Sequence, residues 1–269
     1  MIEVNNIKFS YGKREILKDL SFRMEEGEFV CILGANGCGK TTLLKTMLGL
    51  LKPQSGNVLL YGEDIHKMDE KALAQKVAYI PQNHVPPFPF SVMDVVLMGR
   101  TPHMNKYYCP VAKDKDIAMD ALNRLGILSY ASRKYTELSG GQRQMVIIAR
   151  AIAQQTKILI MDEPTASLDF GNQYLMLEQM HRLSKHKMSI LMVTHNPDHA
   201  LYCANRIIAM QDGRVICEGD TSEVISEPVL RDIYGMDVKV RDVDIVADRH
   251  ITVCVPLPNL SDEPENNTR

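Results

Sequence analysis

The sequence predicts an α/β fold built on a parallel sheet, carrying a mostly helical insertion and a short C-terminal extension. Three observations carry that expectation. Short apolar runs of buried-strand texture, such as Phe29 to Leu33 and Ile158 to Met161, alternate with helix-like stretches, and such alternation implies parallel strands joined by right-handed crossovers. A glycine-rich turn, Gly34 to Gly39, joins the first of those runs to a helix-like segment. From Val92 to about Lys134 the texture changes, with the helix formers Ala118, Met119, Ala121, Leu122 and Leu125 interrupted by a polar loop from Thr101 to Pro110.

In order along the chain, Ile2 to Val4 reads as a strand, Tyr11-Gly12-Lys13 as a turn, and the residues through Leu17 and Phe22 as a second strand. Lys40 to Leu48 reads as a helix, with Gly49 and Pro53 as stop signals. Gly140 opens a helix whose apolar residues Met145, Ile148, Ala149 and Ile152 follow one face. Strands are expected at Lys157 to Met161 and Met188 to Val193, with a helix around Tyr174 to Leu183 between them. After Asp220 a helical region runs to Tyr234. Val238 to Ile245 and Ile251 to Val255 then alternate like two strands, and the acidic end from Leu260 to Arg269 is expected to be disordered.

Composition narrows the classes. At 45% hydrophobic and 24% charged, the 269 residues suit a globular protein with a sizeable core. A net charge of -2 offers no global positive field for nucleic acid or an anionic membrane. No apolar run approaches the ~18 residues of a membrane span. The residues after Met1 do not resemble a signal peptide. The six cysteines form no C-x-x-C pair, which suits reduced thiols in a cytoplasmic protein better than zinc or disulfides.

Gly34-Ala35-Asn36-Gly37-Cys38-Gly39-Lys40-Thr41 fits G-x-x-x-x-G-K-[ST] between a strand and a helix. In such a loop, backbone N–H groups surround phosphate oxygens and the helix dipole adds to them. Lys40 would reach the β- and γ-phosphates, and the Thr41 hydroxyl would ligate Mg²⁺. The strand Ile158 to Met161 ends in Asp162 and Glu163. A parallel strand delivers its C-terminal end to the ligand crevice, so Asp162 can hold the Mg²⁺ shell and Glu163 can polarise an attacking water. Leu138-Ser139-Gly140-Gly141-Gln142 opens a second helix as an anion-binding N-terminus, although Ser139 would equally serve as a plain N-cap. One nucleotide has no evident need of two such turns in one chain. The economical reading gives the second turn to the nucleotide of another copy across a symmetric interface.

These residues resemble the ATP-binding-cassette family, with the signature Leu138 to Gln142 preceding the Asp-Glu strand in the family's order. The resemblance covers nearly the whole chain. It implies a P-loop NTPase core with a parallel sheet, an antiparallel N-terminal β subdomain, an inserted helical subdomain at about 92–137, and an extension over 237–269 that follows a nucleotide-binding domain of residues 1–236. It implies ATP and Mg²⁺ as cofactors. It also implies that Tyr11 stacks on adenine and that Thr42 belongs to the phosphate loop with Gly34 to Thr41. Gln82 would meet Mg²⁺ and water, Ser167-Leu168-Asp169 would couple two subunits, and His195 would contact the γ-phosphate. Glu163, His195, Gln82 and Lys40 form the implied catalytic set. Cys38 stands where many cassettes have serine, and a helix N-terminus can favour a thiolate there.

Val92-Met93-Asp94-Val95-Val96-Leu97-Met98-Gly99-Arg100-Thr101-Pro102-His103 is similar to the ATPase subunits of importers for iron–siderophore complexes, haem and cobalamin, a group in which some members handle molybdate or tungstate. The resemblance implies a homodimer at the cytoplasmic face of the membrane, two integral membrane permease subunits and a separate substrate-binding protein, and no nucleic acid. Pro86, Pro87, Phe88, Pro89 and Phe90 would form the surface that meets the membrane subunits. Another import class, an exporter and a soluble structural ATPase share the same chemistry; a monomeric P-loop kinase has no use for the signature.

Overall fold

A computed structural model describes residues 1–82, 88–104, 109–246 and 249–257. The chain opens with a hairpin, β1 (Ile2–Tyr11) and β2 (Arg14–Met24), closed by the tight turn at Gly12 and Lys13. Next come β3 (Phe29–Gly34), the phosphate loop and α1 (Lys40–Met47), then β4 (Ser55–Leu60), β5 (Glu63–Asp64), α2 (Glu70–Lys76) and β6 (Val77–Ile80). The helical stretch supplies α3 (Val92–Leu97), α4 (Ala112–Arg124) and α5 (Gly140–Ala153). The chain then returns through β7 (Ile158–Asp162), α6 (Phe170–Lys185), β8 (Ser189–Thr194), α7 (Pro197–Cys203), β9 (Arg206–Gln211) and β10 (Arg214–Asp220). Two short helices follow, α8 (Thr221–Val224) and α9 (Glu227–Tyr234), and the hairpin β11 (Val238–Val246) and β12 (Arg249–Pro256) ends the described chain.

The strands form a six-stranded sheet in the order β10-β9-β3-β8-β7-β6, parallel except for β10, and an antiparallel four-stranded sheet β2-β1-β4-β5. The expected α/β core, N-terminal antiparallel sheet, helical insertion and C-terminal extension are all present. The central parallel strands β3, β7 and β8 are buried on both faces, so they read as nearly unbroken apolar runs. Phe29, Cys31 and Leu33 of β3 and Leu159 and Met161 of β7 point into a core shared with the helices. Val30, Ile32, Ile158 and Ile160 point into a second core under the antiparallel sheet and α1.

Helix α5 is buried more widely than one apolar stripe. Val146, Ile147, Ile148, Ala149, Ala151 and Ala153 are all buried, while Met145 and Ile152 pack at the edge. The reason is that α5 lies between β6 and the helices α3 and α4, so it has two apolar sides. The Val92–His103 motif explains how those layers are bolted together. Ser91 and Asp94 form a reciprocal capping box that starts α3. Gly99 lies against α5, where a Cβ would come within 2.2 Å of the Arg150 carbonyl oxygen. The buried Arg100 donates to Asp114 Oδ1 of α4 at 3.0 Å and to the Ala153 carbonyl at 2.8 Å. That pairing holds the Asp114 carboxyl below its ordinary pKa against the opposing effect of burial. His103 Nε2 lies 2.8 Å from the Gln154 carbonyl oxygen. A six-residue 3₁₀ segment from Met98 to His103 runs into the start of the expected loop.

Candidate active site

The site forms at the C-terminal ends of the parallel strands, where β3 and its neighbours open a crevice. The tight turn after β3 places Gly39 at φ 108 immediately before α1, a conformation natural only to glycine. This turn aims the first N–H groups of α1, which lie outside the helical ladder, toward the crevice. Lys40 is only 5% exposed, and its ammonium donates to the carbonyls of Gly34 at 2.8 Å and Ala35 at 3.0 Å.

Strand β7 delivers the two carboxylates to this loop. Thr41 Oγ1 donates to Asp162 Oδ1 at 3.3 Å. Burial raises the Asp162 pKa, and the Thr41 hydrogen bond partly opposes the shift. Glu163 sits directly after β7 with φ 44 and donates its N–H to the Val193 carbonyl at 3.0 Å. A left-handed glutamate is strained by about 1 kcal/mol, and here the strain turns the carboxylate back into the crevice. Its Oε2 accepts from Gln82 Nε2 at 3.0 Å, while Oε1 lies 3.6 Å from Lys40 Nζ and 3.3 Å from His195 Nδ1. Four segments distant in sequence therefore meet on one carboxylate.

Beside them is a cleft of about 430 Å³ lined by Asn36, Gly37, Gly39, Lys40, Thr41, Thr42, Gln82 and Glu163, together with Arg14 and Ile16 of β2. Arg14 went unmarked in the sequence because a single arginine after a turn carries no motif. Ala35 and Cys38 border a neighbouring cavity with Asp232 to Gly235 at the end of α9. Cys38 is 7% exposed and burial pushes its thiol pKa up, despite Lys40 and backbone hydrogen bonds acting in the other direction. The helix-terminus argument for a favoured thiolate is corrected accordingly: desolvation outweighs it.

Tyr11 is half exposed at the end of β1 and packs edge-on against Phe9, with ring centroids 4.9 Å apart. Ser139 to Gln142 do not line the cleft of their own chain. They form a reciprocal capping box at the start of α5, with Ser139 Oγ accepting from the Gln142 N–H at 3.3 Å and Gln142 Oε1 accepting from the Ser139 N–H at 3.1 Å. A Cβ on Gly140 would lie 3.3 Å from the Ser167 carbonyl oxygen, so this turn neighbours the Ser167-Leu168-Asp169 loop. Asp169 caps α6 through Asn172 N–H at 2.9 Å. Of the proline- and phenylalanine-rich segment, Pro86 and Pro87 lie outside the described residues. Phe88 is 61% exposed and stacks edge-on with Phe90.

The donors suit the implied cofactors. Asp162 and Thr41 present oxygen ligands beside a phosphate-type loop, the set a hard cation such as Mg²⁺ takes when phosphates and water complete its shell. Among the described residues no group of three or more His, Cys, Asp or Glu side chains is arranged to hold a metal without such help.

Comparison with known proteins agrees with this geometry. The sequence profile described as ABC transporter matches residues 17–166. An uncharacterized ABC transporter ATP-binding protein of Haemophilus influenzae is 41% identical over 234 residues, covering 87% of this chain and 89% of its own length. The iron(3+)-hydroxamate import ATP-binding protein FhuC of Bacillus subtilis is 38% identical over 240 residues, 89% of each chain. Among solved structures, a chain from an ABC transporter in an inward-facing conformation, ascribed to the metal-chelate type, superposes with a TM-score of 0.85 at 32% identity, covering 96% of this chain and 97% of that one. With the phosphate loop, the paired carboxylates and the signature turn in one fold, the chain belongs to the ABC transporter family as an ATP-binding subunit.

Proposed function

We propose that this chain hydrolyses MgATP to drive the import of a metal chelate, such as an iron–siderophore complex, haem or cobalamin. The observation that carries the chemistry is the convergence of Lys40, Gln82 and His195 on the Glu163 carboxylate beside the phosphate loop. In-line attack on a γ-phosphoryl group depends on positioning and charge neutralisation more than on covalent help. Glu163 takes the proton of the attacking water, Gln82 orients that water, and Lys40 and His195 meet the γ-phosphate oxygens. Thr41, Asp162 and Gln82 would hold Mg²⁺, which when bound neutralises charge on the β- and γ-phosphates. Gly34 to Thr42 cradle the phosphates, and Tyr11 stacks on the adenine.

Ser139 to Gln142 complete the cleft of a second copy, so the working unit is a homodimer with two composite sites. Their position outside the cleft of their own chain supports this reading. The metal-chelate reading is supported by the Val92–His103 motif and by the names of the relatives compared. The domain reading is a nucleotide-binding unit over 1–236, with the helical subdomain at about 92–137, followed by an extension. Among the described residues no helix is long and apolar enough to cross a membrane. In this reading, as the family resemblance implies, separate permease subunits provide the pathway, a substrate-binding protein delivers the cargo, and this chain acts at the cytoplasmic face with no role for nucleic acid. The exposed Phe88 lies at the entry to the helical insertion, and we place the contact with the membrane subunits there.

Purification of the tagged chain from the membrane fraction tests the reading. Integral membrane chains and MgATP hydrolysis are expected together, with uptake of a ferric or cobalt chelate in vesicles. Recovery only in the soluble fraction, with nucleic acid or ribosomes, would overturn it.

A further inference from the structure

The C-terminal extension does not stand apart from the site. The turn that carries His195 runs from the end of β8 into α7, and its two ends are held differently. Upstream, the parallel register of β8 with β3, Thr194 opposite Leu33, fixes the backbone. Inside the turn, the Asn196 N–H donates to Thr194 Oγ1 at 3.1 Å, and Asn196 Oδ1 accepts from the Asp198 N–H at 2.9 Å. Downstream, the holding groups come from α9 and from the extension. Tyr234, the last residue of α9, donates its hydroxyl to the carbonyl oxygen of His195 itself at 2.8 Å. Three residues further on, Asp198 Oδ1 accepts the backbone N–H of Cys254, in β12, at 2.9 Å.

Helix α9 is a firm base for that hydroxyl. Leu230 and Ile233 are buried, and Gly235 ends the helix in the left-handed region with its N–H on the Arg231 carbonyl at 2.8 Å. The hairpin is tied back to the helix by Lys239 to Glu227 at 2.8 Å and by Arg241 to Glu227 at 3.0 Å. Burial raises the Tyr234 phenol pKa well above its ordinary value, so the hydroxyl stays a donor throughout the physiological range.

We propose that Tyr234 is a positioning residue for His195, and that α9 and the C-terminal extension together hold the histidine turn in register with Glu163. The hydrogen bond falls on the carbonyl that leads out of His195, so it sets the peptide plane following the histidine. With β8 fixing the plane before it, the Cα–Cβ direction is set from both sides. The imidazole, exposed and carrying Nδ1 3.3 Å from Glu163 Oε1, then needs little reorganisation to meet a γ-phosphate. A group placed in advance gains rate through avoided ordering at the moment of reaction.

This inference rests on the reading that His195 acts in ATP turnover, and the test separates the two. In the intact chain, Tyr234→Phe deletes one hydroxyl and keeps the ring. Its kcat is expected to fall by roughly three- to tenfold, the rate equivalent of one net hydrogen bond, with KM and the equilibrium Kd for ATP unchanged within about twofold. In a His195→Ala background, Tyr234→Phe is expected to change the residual single-turnover rate no further, because coupled residues are non-additive. Asp198→Ala, which removes the second tie, should show the same dependence on His195 and covers the case in which Tyr234→Phe fails to fold. A wild-type kcat in both tie variants would overturn the proposal. So would an equal fold loss with and without His195. A raised Kd at unchanged kcat would give Tyr234 to the phosphate loop instead, since the same residue also borders the cavity beside Ala35 to Cys38. If His195→Ala alone retains the wild-type rate, the functional reading of the histidine fails first.

Discussion

Replacing Glu163 by glutamine is expected to separate ATP binding from ATP turnover. The carboxylate accepts from Gln82 Nε2 at 3.0 Å through one oxygen and faces Lys40 Nζ at 3.6 Å and His195 Nδ1 at 3.3 Å through the other. An amide has nearly the same volume, so the packing around Glu163 should survive. It can keep its oxygen toward Gln82, but its NH₂ then meets the Lys40 ammonium donor to donor. Turning the amide over restores an acceptor for Lys40 and sets its NH₂ against the Gln82 donor. In neither orientation can it take a proton from water. Loss of a general base costs about 10²–10⁴ in rate, which is roughly 3–5 kcal/mol on the barrier. Binding should hold or tighten, because one negative charge leaves the neighbourhood of the triphosphate while Lys40 and the loop N–H groups stay. Phosphate release at saturating MgATP gives the turnover, and equilibrium binding of a fluorescent ATP analogue gives the affinity. A Glu163→Gln chain that hydrolyses ATP at the wild-type rate would refute the role assigned to the carboxylate. One that loses binding and turnover in proportion would instead show that Glu163 supports the loop.

Gly99→Ala places a methyl group against the Arg150 carbonyl of α5; overpacking of this kind costs about 1–3 kcal/mol, so the melting temperature should drop by roughly 2–10 °C, and an unchanged melt would show that the insertion gives way easily. Burial holds the His199 imidazole below its ordinary pKa of 6.5, so the unfolded chain takes up that proton first. Stability should therefore fall as pH drops below about 6.5, by at most ~1.4 kcal/mol per pH unit, and His199→Gln should flatten that slope in thermal melts taken from pH 7.5 to 5.5; an unaltered slope would place the titration elsewhere. An alkylating reagent should modify the exposed Cys109 well before Cys38, whose thiol is buried and shifted up, and peptide mapping that finds Cys38 first would reverse the assignment.

The local chemistry was legible in the residues because it depends on short spacings. A phosphate loop works through consecutive backbone N–H groups, so Gly34 to Thr41 identify it wherever it occurs. A buried parallel strand is apolar on both faces, so Ile158 to Met161 announced both the strand and the carboxylates at its end. The strands at Phe29 and Met188 were visible for the same reason, and the two C-terminal strands showed their period-2 pattern. The signature turn likewise announced a helix start, and Ser139 does cap it.

Contacts between segments far apart in the chain left no such trace. Nothing in the spacing of residues 82, 163 and 195 says that they share one carboxylate; the register of β6, β7 and β8 brings their ends together. The Val92–His103 motif suggested a transporter group, yet its Asp94, Gly99, Arg100 and His103 are spent on capping α3 and clamping the insertion to α5 and α4. Cys38 looked like a thiol activated by a helix terminus, and its desolvation under the phosphate loop reversed the sign. Tyr234 and Arg14 carried no motif at all, because a hydroxyl on a distant carbonyl or a guanidinium on a cleft wall depends on where two elements pack. Sequence carries what lies within a turn or two of the chain, through dihedral preference and apolar period. Side-chain partnership across the sheet and the dielectric around a titrating group arise only when the layers close on one another.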